Sequence, residues 1–364
     1  MERLYSLQGL RGIAVLGVVL FHMMSVESKY SDGDILLPAW LDFFQLGVDL
    51  FFVISGFVMV IVSRGRFQKS LETQRFLFNR LSRIYPTYWL YFFITLGVYL
   101  WQPGLVNSSH GGSNLWLSFL LLPNDKVLLV MVAWSLLFEL WFYLMFTLFL
   151  FFKERRLPLI LLLWAVALVV FNLLQSWQDY SPALRIMLHP YALEFMAGSA
   201  LALFFYGPYS ARVPTVLVWG ALAAALLVGV PLIHGYQLFF TEGLPRMLAV
   251  GLTFGTLVLS LALLERRQLI RIPGFLTATG DMSYTIYLSH LLVLGVVGRA
   301  WQVIGSWPAS YVDNLVFSVL MITAVVCYGW VGYQFYEKPI LERATAYCKR
   351  RFSSTPQHKH YDPV

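Results

Sequence analysis

The sequence predicts an all-α fold, a polytopic integral membrane bundle of about ten transmembrane helices with both termini cytoplasmic. Three observations carry this. Hydrophobic residues make up 59% of the 364 and charged residues only 12%, with a mean hydropathy of +0.68; an ordinary soluble domain is about 25% charged. Apolar runs near the roughly 20 residues that a bilayer requires recur ten times, at about 9–26, 42–62, 84–101, 128–152, 157–175, 187–206, 213–233, 244–264, 282–303 and 310–334. The basic residues, finally, fall in alternate connections.

Because cytoplasmic loops retain positive charge, an inside N-terminus is the consistent choice. It places 20 of the 26 Lys and Arg on one side, around Arg3, Arg64 to Arg83, Lys153 to Arg156, Arg212, Arg266 to Arg271 and Lys338 to Lys359. The other side receives Lys29, Lys126, Arg185 and Arg246, with Arg299 near the end of the ninth run and Arg11 within the first. This bias accounts for the net charge of +7. No basic stripe interleaved with aromatics is present, so no nucleic-acid partner is expected.

Taken in order, the first run has a basic residue before it but no small-residue cleavage site after it, so it reads as a retained anchor. Arg64 to Arg83 reads as a partly amphipathic element on the cytoplasmic surface, with Pro86 opening the third span. The connection from Gln102 to Val127 contains "LWLSFLLLP", too short to cross, which is expected to dip back or lie at the interface. Cys327 and Cys348 offer neither a disulfide framework nor metal spacing, and no metal is expected. The polar last thirty residues are expected to fray, giving a membrane domain over 1–340 and a polar cytoplasmic tail over 341–364.

Ionisable groups inside spans cost of the order of 2.5–3.5 kcal/mol at the centre of a helix, which makes each a candidate site. They are Arg11, His22, Asp49, Glu139, Glu194 and His290. Arg11 and His22 are eleven residues apart, about three turns, so they share one face and lie roughly 16 Å apart along the axis. One end reads charge and the other moves a proton; snorkelling of Arg11 and a helix-to-helix hydrogen bond at His22 are the blander alternatives. Arg80 and Arg83 in "NRLSRIYPTYW" are neighbours on a helical face. Their guanidinium forks suit phosphate recognition or serve as inside anchors. Glu139 in "AWSLLFELWFY" lies at a depth compatible with His22, where a carboxylate orients and stabilises an imidazole, and Asp49 is a second carboxylate at similar depth. Ser55 and Gly56 read as helix-packing residues. Glu194 and His290 read as structurally paired, with partners the sequence does not name.

Together these stretches resemble the acyltransferase-3 family of bacterial inner-membrane proteins over about residues 5–340. The marks are the Arg11 and His22 pair, "FFVISGF", the Arg80 and Arg83 pair, "WSLLFE" ending at Glu139, "EFMAG", and "YEKP" at 336–339. The opening looks most like the branch associated with exopolysaccharide and O-antigen modification. The resemblance implies a multi-pass protein of the bacterial inner membrane that moves an acyl group, most simply acetyl, from cytoplasmic acyl-CoA (acetyl-CoA) to a hydroxyl of an exported glycan or lipid-linked glycan. Arg11, Arg80 and Arg83 then bind acyl-CoA. His22 is catalytic, as general base or as acyl relay, with Glu139 as its orienter and Asp49 as the alternative. Ser135, Tyr143 and Trp134 are candidate oxyanion donors. Family members often carry a fused extracytoplasmic domain that is not found here; the expectation is transfer within the bundle or to a separate extracytoplasmic partner. A non-enzymatic glycan or lipid transporter is the rival, though no repeat halves are found. An acyltransferase acting on a small cytoplasmic molecule is the second rival, and it has no need of His22 near the outer face.

Overall fold

The computed structural model describes residues 3–31, 35–106, 112–304 and 310–352. Among the described residues there is no strand, and fifteen α-helices follow in chain order. The first eight are α1 Tyr5–Tyr30, α2 Gly47–Ser63, α3 Ser70–Trp101, α4 Leu115–Phe119, α5 Trp134–Phe149, α6 Leu157–Leu174, α7 Pro182–Leu188 and α8 Ala192–Phe205. The rest are α9 Thr215–Ala224, α10 Val230–Gly235, α11 Leu244–Arg266, α12 Gly274–Asp281, α13 Ser283–Ile304, α14 Tyr311–Gly332 and α15 Lys338–Arg351. Nine stretches among the described residues are long and apolar enough to cross a membrane, α7 with α8, α9 with α10 and α14 with α15 each counting once. The chain is a polytopic helical membrane protein.

Apolar side chains on every face let a helix sit either at the centre or against lipid, and the two cases separate here. α6 buries only Leu157, Leu161 and Leu168, a single seam, and leaves its other faces outward. α2 is buried almost all round, between α1, α5, α8 and α11. Its tightest neighbour is α8. A Cβ on Gly56 would stand 1.9 Å from the Phe195 carbonyl oxygen, and one on Gly198 would stand 1.9 Å from that of Val53. The two backbones therefore touch where both helices lack a side chain, and Ser199 Oγ donates to the Gly56 carbonyl at 3.0 Å.

α1 is held at both ends by carboxylates. Its first free N–H groups, on Tyr5 and Ser6, donate to Glu265 at 2.7 and 2.8 Å, which satisfies a helix start that has no side-chain cap of its own. At the far end Glu27, fully buried, accepts from the N–H groups of Leu36 and Leu37 at 2.8 and 3.0 Å.

Two expectations change, and a third, left open between two alternatives, narrows to the first of them. The basic element and the third span are one helix of 32 residues, α3, with Pro86 in its interior instead of at a helix start; the Pro86 carbonyl accepts from Tyr336 Oη at 3.2 Å. That bond does not replace the one that proline removes, which is to the carbonyl of Ser82 four residues earlier; it fixes α3 against the segment that follows α14. The C-terminal region does not fray as a whole: α15 packs along α3, with Tyr347 against Phe78 and Cys348 buried, and the remainder of the polar tail lies outside the described residues. The "LWLSFLLLP" stretch dips back. Its short helix α4 ends beside Tyr85, Tyr88 and Trp89, twelve or more residues before the end of α3, or about 20 Å along the axis. Those three side chains donate to the carbonyls of Leu120, Ser118 and Phe119 respectively. Leu121 then turns the chain at a φ of +52°.

The contact between α2 and α8 is open to test. Gly56→Ala should lower stability by about 1–3 kcal/mol, the usual cost of overpacking. Gly97→Ala, where a Cβ meets nothing within 4 Å, should be neutral or stabilising through helix propensity. Thermal unfolding in detergent reads both.

Candidate active site

Arg11, Arg80 and Arg83 converge on one cavity, together with Ser55, Glu139, Tyr143, Ser283, Tyr284 and Tyr287. α1 supplies Arg11, one helical face of α3 supplies Arg80 and Arg83, and α13 closes the opposite side. Arg11 donates to Ser283 Oγ at 3.1 Å and lies over the Phe51 ring. Arg80 lies over the rings of Phe76 and Tyr143, 5.8 Å from each centroid. Among the described residues none of the three forms an ion pair within 4.0 Å. Half-buried guanidiniums without a bound carboxylate make the cavity a place for an anion.

Glu139 shares this cavity but accepts from Ser55 Oγ at 3.2 Å and from Tyr143 Oη. It is not a hydrogen-bond partner of His22. The expectation that Glu139 orients the imidazole is therefore not what the structure displays, and Ser55 bonds a carboxylate as well as packing. Asp49 is further removed. Arg246 donates to both its oxygens, at 2.7 and 2.9 Å, and to Tyr191 Oη at 3.1 Å. Asp49 and Arg246 are 1% and 5% exposed, so the pair is closed off, and Glu194 faces it from α8. Arg246, which the charge pattern assigns to a loop, lies within α11. A carboxylate bound bidentately to a buried guanidinium has no free geometry with which to serve His22, so the alternative role expected of Asp49 is corrected to an ion pair between α2 and α11.

The partner of His22 is His290. The Nε2 of His290 is 3.3 Å from Nδ1 of His22, and the rings meet edge to face. The bonds around the pair assign its protons. His290 Nδ1 lies 2.7 Å from the Tyr287 carbonyl and must donate, so in the neutral ring its Nε2 accepts. His22 Nδ1 faces that acceptor and the Val18 carbonyl at 2.9 Å, so it carries the hydrogen. Nε2 of His22 is left with the lone pair, the form that a base or nucleophile requires. Arg11 meets Ser283 and His22 meets His290, so the row of eleven residues on α1 runs beside a row of seven on α13. The seven-residue spacing in "SYTIYLSH" was the available sequence signal for this partner.

Between the cavity and the histidine pair stands Tyr287. Its hydroxyl is 2.8 Å from the Val132 carbonyl and 2.8 Å from Ser135 Oγ, and its ring lies 5.9 Å from that of His290. Of the candidate oxyanion donors, Ser135 and Tyr143 line the cavity while Trp134 faces a different cleft.

Residues 4–333 match the family described as an acyltransferase domain. The chain belongs to the acyltransferase-3 family. It is 33% identical over 306 residues to the exopolysaccharide production protein ExoZ of Rhizobium meliloti, covering 82% of this chain and 90% of that one. To the peptidoglycan O-acetyltransferase OatA of Listeria monocytogenes it is 24% identical over 369 residues, covering 92% of this chain and 55% of that protein. No solved structure matches. The chain is thus an acyltransferase, and the acyltransferase-3 motifs acquire physical roles. "FFVISGF" and "EFMAG" are the two halves of the close contact between α2 and α8. In "YEKP", Tyr336 holds Pro86 and the buried Glu337 accepts from Thr285 Oγ1 at 2.5 Å, which ties the end of α14 to α3 and α13.

The reassigned ion pair yields a direct check. Asp49→Ala and Arg246→Ala should each destabilise the fold by about 3–5 kcal/mol, because each leaves a buried charge uncompensated. The double variant should lose much less than the sum. Unfolding midpoints of the three purified proteins give the coupling.

Proposed function

We propose that this protein is an O-acetyltransferase of the bacterial inner membrane that takes its acyl group from acyl-CoA, most simply acetyl-CoA, in the cytoplasm and delivers it to a hydroxyl of an exported glycan. The observation that carries the proposal is the alignment along α1 and α13. Three guanidiniums without ion pairs stand at one end and an imidazole with a free Nε2 at the other. The excess of Lys and Arg around Arg80 and Arg83 supports a cytoplasmic position for the guanidinium end and for both termini.

In this reading the phosphates of CoA rest on Arg80, Arg83 and Arg11, and the pantetheine arm runs up the α1 face. The roughly 16 Å from Arg11 to His22 is commensurate with that arm. Tyr287 must swing from Ser135 and Val132 to let the thioester pass. His22 Nε2 then takes the proton of the glycan hydroxyl as its oxygen attacks the thioester carbonyl. The carbon–sulfur bond breaks, and the thiolate leaves and recovers the proton from His22. His290 acts as a positioning residue, holding the imidazole in the tautomer that exposes Nε2. The exopolysaccharide name of one relative and the O-acetyltransferase name of the other support a glycan acceptor and an acetyl group.

His22→Ala and His22→Gln should abolish acyl transfer while the protein still inserts and accumulates. His290→Ala should lower kcat by ten- to a hundredfold and leave both KM values within about twofold, since it removes orientation and not binding. Steady-state kinetics of reconstituted protein separate the two, and full activity in a His22 variant removes the imidazole from the mechanism.

Arg80→Ala and Arg83→Ala should each weaken acyl-CoA binding by the worth of a charge-assisted hydrogen bond, about 1.5–3 kcal/mol, with lysine rescuing only in part. Sealed inverted vesicles should consume added acyl-CoA and right-side-out vesicles should not. Cysteine at Ser25 should react with an impermeant thiol reagent from the outer face and cysteine at Ser70 from the inner face. The opposite labelling pattern would reverse the topology.

A further inference from the structure

A second cleft opens at the end of the bundle remote from the three guanidiniums. Its walls are Trp134 and Phe138 of α5, and Trp177, Arg185, His189 and Tyr191 from the segment between α6 and α8. The aromatic rings are built around one another. His189, 5% exposed, lies with its ring centroid 4.2 Å from both Trp177 and Tyr191 and 4.9 Å from Phe138. Trp134, tilted against Tyr191 at 5.8 Å, is nonetheless 36% exposed. An aromatic surface therefore faces the cleft and is not merely packed away.

The polar rim carries no unpaired cation, and its uncompensated charge is the Glu242 carboxylate. Arg185 is paired with Asp125, and Glu242 accepts from Gln178 Nε2 at 3.0 Å. Asn124 completes it. Aromatic faces set among amide, carboxylate and guanidinium groups fit the two surfaces of a sugar ring, whose C–H face is apolar and whose edge carries hydroxyls. An anionic lipid headgroup calls for an unpaired cation, and the one guanidinium in the lining is already paired. At about 370 Å³ the cleft has room for a sugar ring.

The two cavities share α5 as a wall. Trp134, Leu137 and Phe138 face the cleft, whereas Ser135, Leu136 and Glu139 face the guanidinium cavity. Ser135 touches Tyr287, one turn from His290. A helix is about 10 Å across with its side chains, so a group in the cleft sits beside the reacting centre and not on it.

We infer that this aromatic cleft is a glycan subsite that holds a sugar residue of the acceptor one or two units away from the hydroxyl that is acylated. The inference rests on the acyl-transfer reading above and adds to it a length requirement. Binding energy from a remote unit then serves the reaction at the acylated one, and long acceptors outperform short ones.

The test uses oligosaccharides released by mild acid from the surface polysaccharide of a strain lacking this protein and separated by length, with acetyl-CoA as donor and the full-length protein in nanodiscs. The wild-type protein should show a kcat/KM at least tenfold higher for hexasaccharides than for disaccharides. Trp177→Ala should cut that ratio at least tenfold, and the conservative Glu242→Gln should cut it several-fold. Calorimetric binding of the hexasaccharide fraction, without donor, should weaken in parallel. An unchanged ratio and unchanged binding in both variants overturn the subsite while acyl transfer stands. Altered retention of anionic lipid in these variants, with the length ratio intact, makes the cleft a headgroup site and also overturns it. Absence of transfer to any acceptor by the wild-type protein defeats the acyl-transfer reading itself, and this inference with it.

Discussion

A bundle surrounded by lipid has no water with which to satisfy a polar group, so each one must find its partner within the protein. Much of this structure follows from that rule. The carbonyls at the end of α4 are met by Tyr85, Tyr88 and Trp89, Asp49 by Arg246, and Glu337 by Thr285. What stands out against this background is capacity left unused. Among the described residues the guanidiniums around the cavity lack carboxylate partners, and Nε2 of His22 makes no hydrogen bond. Single unpartnered atoms occur elsewhere among these residues, Trp141 Nε1 and Ser318 Oγ among them, but only at the candidate site do several charged groups without ion pairs gather round one cavity.

That distinction governs what the sequence could reveal. Arg11 and His22 share a helix, so periodicity alone places them on one face, and Arg80 with Arg83 is equally local. Orientation of His22 is a contact between residues 268 positions apart, and nothing in the periodicity of α1 selects His290 over Glu139 or Asp49. Arg246 misleads for a related reason. Charge at the edge of an apolar run looks like a loop until the carboxylate that buries it is known. Pro86 and α15 show the same limit from the side of the backbone, because proline and polar composition signal helix ends only where no neighbouring element holds the helix in place. The membrane fold, by contrast, is written in composition and run length, which need no tertiary information.

Two kinds of family motif also separate. Arg80 with Arg83, and Arg11 with His22, place chemistry. "FFVISGF", "EFMAG" and "YEKP" place backbones, through the absence of side chains at Gly56 and Gly198 and through the bonds of Tyr336 and Glu337. The second group acts mainly through the backbone, although Phe51 and Ser55 of "FFVISGF" also line the cavity, and it fixes where α2, α3 and α13 stand and hence where the first group converges.

The clamping of α1 by a carboxylate at each end has an evolutionary corollary. A helix pinned at Glu265 and at Glu27 is a ruler of constant length, and adding or deleting one residue between Arg11 and His22 rotates one against the other by about 100° and shifts it by 1.5 Å. Substitution in the walls can retune which acyl group or acceptor is accepted, but insertion and deletion within that interval cannot be absorbed. Diversification of this scaffold is therefore confined to side chains along α1 and to the connections beyond its ends, where chain length is free to vary.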